Sequence, residues 1–439
     1  MMKKIFCMFF FSLILIPLSS MDLTDAESSL ADIFSSSIDS NEGRTVFRSM
    51  NIASGGRTEA LGSAFVALCD DASFFDYNPA ASSVLQESEI AVYHNAWISD
   101  SALETLALTR RNGKLGYGAQ IKCFYVPFSE YNLYGERVAG NYYSETSATL
   151  NVSYNFMAGY TFKGLALGAN GKIAWRSVPD YTDNQTDEII QGSGLDQSAL
   201  GLMADAGILL RFNALKFYQD REANLKIGLA LNNFGLALTG FSSSITKDDD
   251  TPARISAGFS YAPFSRLRFT CEVRKPVLIS DFSTQLKTSF ALGSEIQLTK
   301  SFAFQCGFLL QGANPRFSMG SEADIKGIKM DVAYTLDLTS SANPVNHISL
   351  SAKIKFGDRG RAITMKKVDE YYIDGLKLYA EGYYNEAIMK WEEAIKTAER
   401  PPLSIRFEPA IQAKNAAINF NIQKTALENM YSVSMDENE

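Results

Sequence analysis

From about Ser88 to Gly357 apolar and polar residues alternate with a period of two, and this pattern limits the fold more than any other feature of the chain. In KLGYGAQIKC the apolar set is Leu115, Tyr117, Ala119, Ile121 and Cys123. RLRFTCEVR sets Leu267, Phe269, Cys271 and Val273 against Arg266, Arg268, Thr270, Glu272 and Arg274. IKMDVAYTLDL puts Ile328, Met330, Val332, Tyr334, Leu336 and Leu338 on one face, with Lys329, Asp331 and Asp337 on the other. Successive side chains of a strand point to opposite faces, so each segment predicts a strand with one apolar and one polar surface. A two-sheet sandwich would show the same period, and strand length and loop spacing decide between the two.

Strand cores are expected at 88–97, 101–111, 114–126, 145–162, 164–177, 199–213, 224–237, 253–262, 266–275, 285–298, 301–311, 315–324, 327–339 and 346–357. Many exceed the roughly five or six residues usual in globular sheets. Every second connection is mostly tight (RNGK, FKG, APFS, LTK, DIKG), whereas the intervening ones at 126–144, 177–199, 235–252 and 275–284 are long. Short turns at one end and long loops at the other are the layout of an outer-membrane barrel. The last segment holds Ile348, Leu350, Ala352, Ile354 and Phe356 in phase, an alternating final strand ending in Phe. The fold expected for 88–357 is therefore an all-β transmembrane barrel of about 14 antiparallel strands. The 29 Phe and 20 Tyr suit aromatic girdles at the membrane interfaces. Tyr93, Trp97, Phe124, Tyr125, Phe128, Tyr154, Phe156, Tyr160, Phe162 and Trp175, crowded at strand ends, are the candidates.

The first twenty residues, MMKKIFCMFFFSLILIPLSS, have a basic start, an apolar run and closing serines, the form of a secretory signal peptide over 1–20. Cys69, Cys123, Cys271 and Cys306 remain beyond it, widely separated among apolar residues, and read as free thiols. A net charge of -8 without a basic block excludes nucleic acid as a partner. The two histidines, His94 and His347, stand far apart with no cysteine or carboxylate cluster, so no metal or other cofactor is expected. No Ser/His/Asp constellation points to an enzyme.

After Gly357 the period changes. VDEYYIDGLKLYAEGYYNEAIMKWEEAIKTAERPP places Gly375, Leu378, Gly382, Tyr384, Ala387, Trp391 and Ala394 where a tetratricopeptide repeat, a 34-residue helix–turn–helix, needs small and large packing residues. A small α-helical, tetratricopeptide-like unit is expected over 365–425, with 404–423 as half of a further repeat. One such repeat cannot bury its own faces, so it is expected to lean on the barrel mouth, a second copy or another protein, here a periplasmic protein partner. An even strand count returns it to the periplasm.

Before the barrel, within 21–87, stands GGRTEALGSAFVALCDDASFFDYNPAAS. Ala60, Leu61, Ala64, Phe65 and Leu68 fall on one helical face, Asp70 and Asp71 end the helix, and Asn78 before Pro79 favours a turn. This segment, through Gly62, Ala64, Phe65, Ala67, Asp70, Asp71, Ala72, Asn78, Pro79 and Ala80, resembles the FadL-type outer-membrane transporters for long-chain fatty acids and other hydrophobic molecules. More narrowly, the chain resembles an uncharacterised spirochaetal FadL-like group. The resemblance implies that 21–87 holds an N-terminal hatch plugging the lumen, with Gly62, Phe65, Asp70, Asp71, Asn78, Pro79 and Ala80 as gating residues. It also implies a lateral gap at Gly116 and Gly118. Buried hatch carboxylates need cations, and Arg266, Arg268 and Arg274 on inward faces are the candidates for Asp70 and Asp71.

The function implied is passive uptake of fatty acids or other hydrophobic small molecules through a barrel seated in outer-membrane lipid. Phe128, Tyr131, Leu133 and Tyr134 in FSEYNLYG would form the capture loop. The alternative is a scaffold or secretion-associated barrel whose helical tail binds periplasmic proteins.

Overall fold

Long alternating strands satisfy their backbone groups only by pairing edge to edge. In the computed structural model they do so in a closed ring. The structure describes residues 44–436, apart from 98–99, 133, 157–163, 184–185, 187, 219–222, 285, 300, 312–313, 326, 339–345, 357–358 and 402. The expected signal peptide lies outside the described residues.

The strands are β1 (Ser88–Ala96), β2 (Ala102–Asn112), β3 (Leu115–Tyr131), β4 (Arg137–Asn155), β5 (Gly164–Ser177), β6 (Ala199–Phe212), β7 (Leu225–Thr239), β8 (Thr246–Lys247), β9 (Arg254–Phe264), β10 (Leu267–Pro276), β11 (Ser289–Thr299), β12 (Phe302–Gln311), β13 (Asn314–Ile325), β14 (Ile328–Asp337) and β15 (His347–Phe356). β8 is a two-residue strand in the loop after β7. The others are fourteen antiparallel staves, with β9 following β7 and β1 closing on β15 from Ser88↔Phe356 to Ala96↔Ile348. The pairing of β1 with β15 means that the chain enters and leaves the barrel at the rim of short turns.

The outward phase is mainly apolar: Leu106, Ile121, Leu150, Val152, Ile173, Leu202, Phe259 and Val332 are all exposed, and the His94–Glu104 pair at 2.6 Å is an exception on the same face. A closed ring with a largely apolar exterior fits lipid, not water. Cys123, Cys271 and Cys306 are free and in this outward phase. Exposed Tyr154, Phe156, Phe212, Phe264 and Phe356 mark the short-turn rim, and Tyr142 and Trp175 lie toward the other. Three of the expected girdle residues face inward instead. Tyr93 is 1% exposed against the hatch, and Trp97 and Phe124 line the lumen. Strand phase, not nearness to a strand end, decides which way an aromatic points. Tyr160 and Phe162 lie outside the described residues.

The largest departure is at 126–144, where a long loop was expected. β3 and β4 continue there as one hairpin, paired out to Tyr131↔Arg137. Asn132 Oδ1 makes the tight turn by accepting from Tyr134 N at 3.0 Å and Glu136 N at 2.9 Å, with Gly135 at φ 81°. Phe128 and Tyr131 therefore stand on paired strands and Tyr134 at an exposed tip, not on a mobile capture loop. Leu133 lies outside the described residues.

Within the hatch stands one helical turn, α1 (Gly56–Ala60), and before β6 another, α2 (Ser193–Gln197). The tail has three helices, α3 (Arg359–Ala380), α4 (Tyr384–Glu399) and α5 (Glu408–Asp436), wider than the expected 365–425. Gly375 lets α3 approach α4, since a Cβ there would stand 2.5 Å from Trp391 Nε1. Trp391, Ala387 and Ala394 are buried, Leu378 packs against them, and the Tyr384 ring meets Tyr379 and Phe420 at 5.2 and 5.0 Å. Gly382 does something different. It sits at φ 92° with open space around it, a turn residue, not a packing one.

Candidate functional site: the hatch and the lumen wall

The hatch threads the lumen. Residues 45–53 lie beside Trp97, Asp249 and Gln311 toward the long loops, and residues 84–87 beside Ser265–Arg268 at the short turns. Its own core is Leu61, Phe65, Leu68, Phe74, Phe75 and Tyr77, packed on Ala91, Tyr93 and Ala107 of the wall. The helix expected through Leu68 stops at Ala60, because Gly62 (φ 61°) and Ser63 (φ 63°) turn the backbone left-handed. Wall contacts replace the lost helical bonds: Glu272 accepts from both Phe65 N and Val66 N at 2.8 Å.

Asp71 does not end a helix but starts one, its Oδ1 accepting from Ser73 N at 2.9 Å ahead of the 3₁₀ turn Ala72–Asp76. Asn78 caps the next turn, Pro79–Ser83, accepting from Ala80 N at 3.1 Å, with Pro79 in the first position where its missing N–H costs nothing. The same side chain donates to Val66 O at 2.9 Å and to Ile208 O at 3.0 Å. Asn78-Pro79-Ala80 is thus a cap and a wall anchor together. Asn78→Ala should cost the hatch about 1–3 kcal/mol, since it strands the Ala80 N–H and two carbonyls. Asn78→Asp keeps the cap, loses the donors and should fall between; limited proteolysis of the hatch segment reads both.

Lumen-facing glycines of the wall make room for this backbone. A Cβ on Gly293 would meet Leu61 O at 2.6 Å, and one on Gly307 would overlap Gly62. Gly228 and Gly258 face Val66, and Gly168 and Gly207 face Pro79. Gly62 in turn lies against the Phe308 backbone, where its φ of 61° and a 2.6 Å approach both exclude a side chain. Gly116 and Gly118 belong to this belt, facing Ser82–Ser83 and Phe75. They are not a lateral gap: β3 is paired without a break to β2 from Asn112↔Leu115 to Ala102↔Tyr125, and to β4 beyond them on both sides.

The charges converge on Arg57 of α1. Its guanidinium meets Asp70 at 2.5 Å, Asp71 at 3.1 Å and Glu295 of β11 at 2.7 Å. Asp70 is also held by Arg268 at 3.0 Å, and Asp71 by Lys353 of β15 at 2.8 Å, whose amine also meets Asp331 at 2.7 Å. Of the three expected partners only Arg268 reaches the pair; Arg274 bonds Glu272 and the Ser63 carbonyl instead. Burial would raise both hatch carboxyls, but Arg57 with Arg268 holds Asp70, and Lys353 with Arg57 holds Asp71, well below the usual range. Burial also raises Glu59, and the His347 imidazole at 3.3 Å together with Arg316 and Arg274 outweighs it, leaving Glu59 lowered. Burial pushes the Cys69 thiol well up, which leaves it inert. Arg57, Glu272, Glu295 and Lys353 escaped the sequence reading. For Glu272, Glu295 and Lys353 the signal was present as charged residues in the polar phase of alternating strands, whereas Arg57 lies in the hatch, where no such phase marks it.

Two of the cavities among the described residues flank the hatch. One of about 590 Å³ opens toward the long loops between Phe47, Trp97, Phe124, Glu145, Leu309 and Arg316. The other, about 280 Å³ at the short-turn side, is lined by charges that include Arg57, Asp70, Lys226 and Glu322. Among the described residues no three His, Cys, Asp or Glu side chains gather as metal ligands do.

Residues 22–359 match the uncharacterised protein family UPF0164. The chain belongs to that family. Two UPF0164 proteins of Treponema pallidum (strain Nichols) are 30% identical over 86% of this chain and 84% of the relative, and 26% identical over 83% and 73%. Among solved structures, the Pseudomonas putida toluene transporter TodX aligns with a TM-score of 0.48 and 12% identity, covering 69% of this chain and 99% of TodX. The CymD monoaromatic hydrocarbon channel gives 0.46 and 14%, covering 70% and 98%. The UPF0164 match runs from ahead of the hatch to the end of the barrel and stops where α3 begins.

Proposed function

We propose that this UPF0164 barrel is a hatch-gated channel for passive uptake of hydrophobic small molecules, long-chain fatty acids among them. The observation that carries this reading is the vestibule of about 590 Å³, whose lining includes Trp97 and Phe124 together with Arg48 and Arg316. Aromatic walls take an apolar body and guanidiniums take a polar head. The hatch below closes the way through. In this reading the protein is a conduit and not an enzyme. Purified protein in liposomes should admit a labelled fatty acid at least about tenfold faster than empty liposomes. Equal rates would sink the proposal.

A second reading has one observation of its own. Phe420, Ile422 and Leu427 of α5 are exposed, as are Ile373, Leu376 and Met389. A tetratricopeptide-like unit at the short-turn rim, hence in the periplasm, would use such surfaces to hold a protein. Removing 359–436 should then abolish capture of that partner while leaving uptake by the barrel intact.

A further inference from the structure

Phe47 holds a conformation that a phenylalanine seldom adopts, and the way it is held suggests what belongs there. Its backbone is left-handed at φ 53°, ψ 41°, which strains any residue with a side chain. The ring is nonetheless only 1% exposed. It lies on a smooth patch of wall, with Gly201 of β6 so close that a Cβ there would stand 2.7 Å from Phe47 Cε2. Val46 and Met50 flank the ring, and the patch itself is Ala174, Ala199, Met203 and Ala237 of β5, β6 and β7. Small residues on three adjacent staves form an apolar recess, and the chain's own side chains fill it.

The recess is not sealed from the vestibule. Val46 and Phe47 line the cavity of about 590 Å³ on their other side. The strap that carries them is fastened at separate points by a few polar bonds. Val46 N donates to Asp250 O at 3.0 Å, and Ser49 N to Glu145 Oε2 at 3.1 Å. Arg254 reaches Asn51 at 3.2 Å. By contrast, residues 60–83 are gripped by the glycine belt and the ion network. The strap lies outside the ion network around Arg57, and Lys122 and Arg254 tie its end, at Ile52 O and Asn51, to Asp76.

We propose that the recess on β5–β7 is a binding site for an apolar group about as wide as a benzene ring or a branched alkyl end, and that Phe47 occupies it in place of cargo. This deepens the uptake reading and rests on it for the identity of the ligand as cargo. Cargo entering the vestibule displaces the ring, relieves the left-handed strain and frees the strap. Because the occupant belongs to the chain, the site is closed to solvent until a competing apolar group arrives.

The test uses the full protein in amphipol and 4-fluorotoluene followed by ¹⁹F NMR, with empty amphipol as the reference. Phe47→Ala opens an apolar cavity, and dry cavities of roughly 150 Å³ take up benzene. It should bind the probe at least about tenfold more tightly than the natural protein. Phe47→Ala with Gly201→Leu refills the recess from the wall and should return binding to the natural level. Heat-modified gel mobility shows whether each variant is a folded barrel. If folded Phe47→Ala binds no better than the natural protein, or if Gly201→Leu leaves the gain untouched, the site is not there. Fatty-acid entry into liposomes separates the two ideas. Uptake without a Phe47 effect removes only the recess, and a Phe47 effect without uptake removes only the channel reading.

Discussion

Replacing Arg57 with methionine should unseat the hatch and turn a silent barrel into a conducting one. The guanidinium is the only cation that touches Asp70, Asp71 and Glu295 together among the described residues. Methionine fills the space but leaves those carboxylates facing one another across a buried cluster. Removing one partner from a buried ion pair costs about 3–5 kcal/mol, most of it the uncompensated charge that remains. Divided by RT, that is a shift of roughly a hundredfold or more in the ratio of seated to unseated hatch. Planar-bilayer recordings should show stable conductance steps for Arg57→Met and none for the natural protein. Arg57→Lys keeps the charge but cannot reach three carboxylates at once and should fall between. An equally silent Arg57→Met would mean that packing, not charge, seats the hatch.

The same cluster sets the acid response. Asp70 and Asp71 have lowered pKa values in the seated state. The seated hatch therefore binds fewer protons than the free one, and its stability is fully present above the ordinary aspartate value of about 3.9. It is lost as pH falls through the lowered values. The natural barrel should stay shut from pH 8 to 5 and begin to conduct only below about pH 4.

The barrel was legible because period two is a local property: each strand carries its own apolar face, and the ring merely joins them. The hatch was legible as a segment but not as a shape. Ala60 to Leu68 have helical spacing, yet the carboxylate of Glu272, two hundred residues away, takes the Phe65 and Val66 N–H groups that a helix would use. Asp70 and Asp71 announced a need for cations, but not that Arg57, thirteen residues upstream, and Lys353 on the last strand would meet it. The 126–144 stretch misled for a different reason. Its tyrosines and asparagines are interspersed with charge, so no alternation marked the strands, and one asparagine side chain closes the hairpin.

The glycines of the wall carry the second large prediction, because they distinguish a seat from a weak strand. Gly307 lies mid-strand in β12, where glycine is a poor choice for pairing alone. If its purpose is to admit the hatch, Gly307→Leu should leave the barrel sound and expel the plug. The new Cβ would overlap the Gly62 backbone, which cannot rotate away as a side chain would. Overpacking against movable side chains already costs about 1–3 kcal/mol, so a clash with backbone should exceed that. Gly171→Ala, with open space around it, should do nothing. Conductance should appear in Gly307→Leu and not in Gly171→Ala. The deciding comparison is made in a barrel lacking residues 44–83. There Gly307→Leu should be neutral or slightly stabilising, because leucine is a better strand residue than glycine and no hatch remains to be displaced. If Gly307→Leu destabilises that emptied barrel as much as the full one, the glycine serves the wall itself and the belt is not a seat.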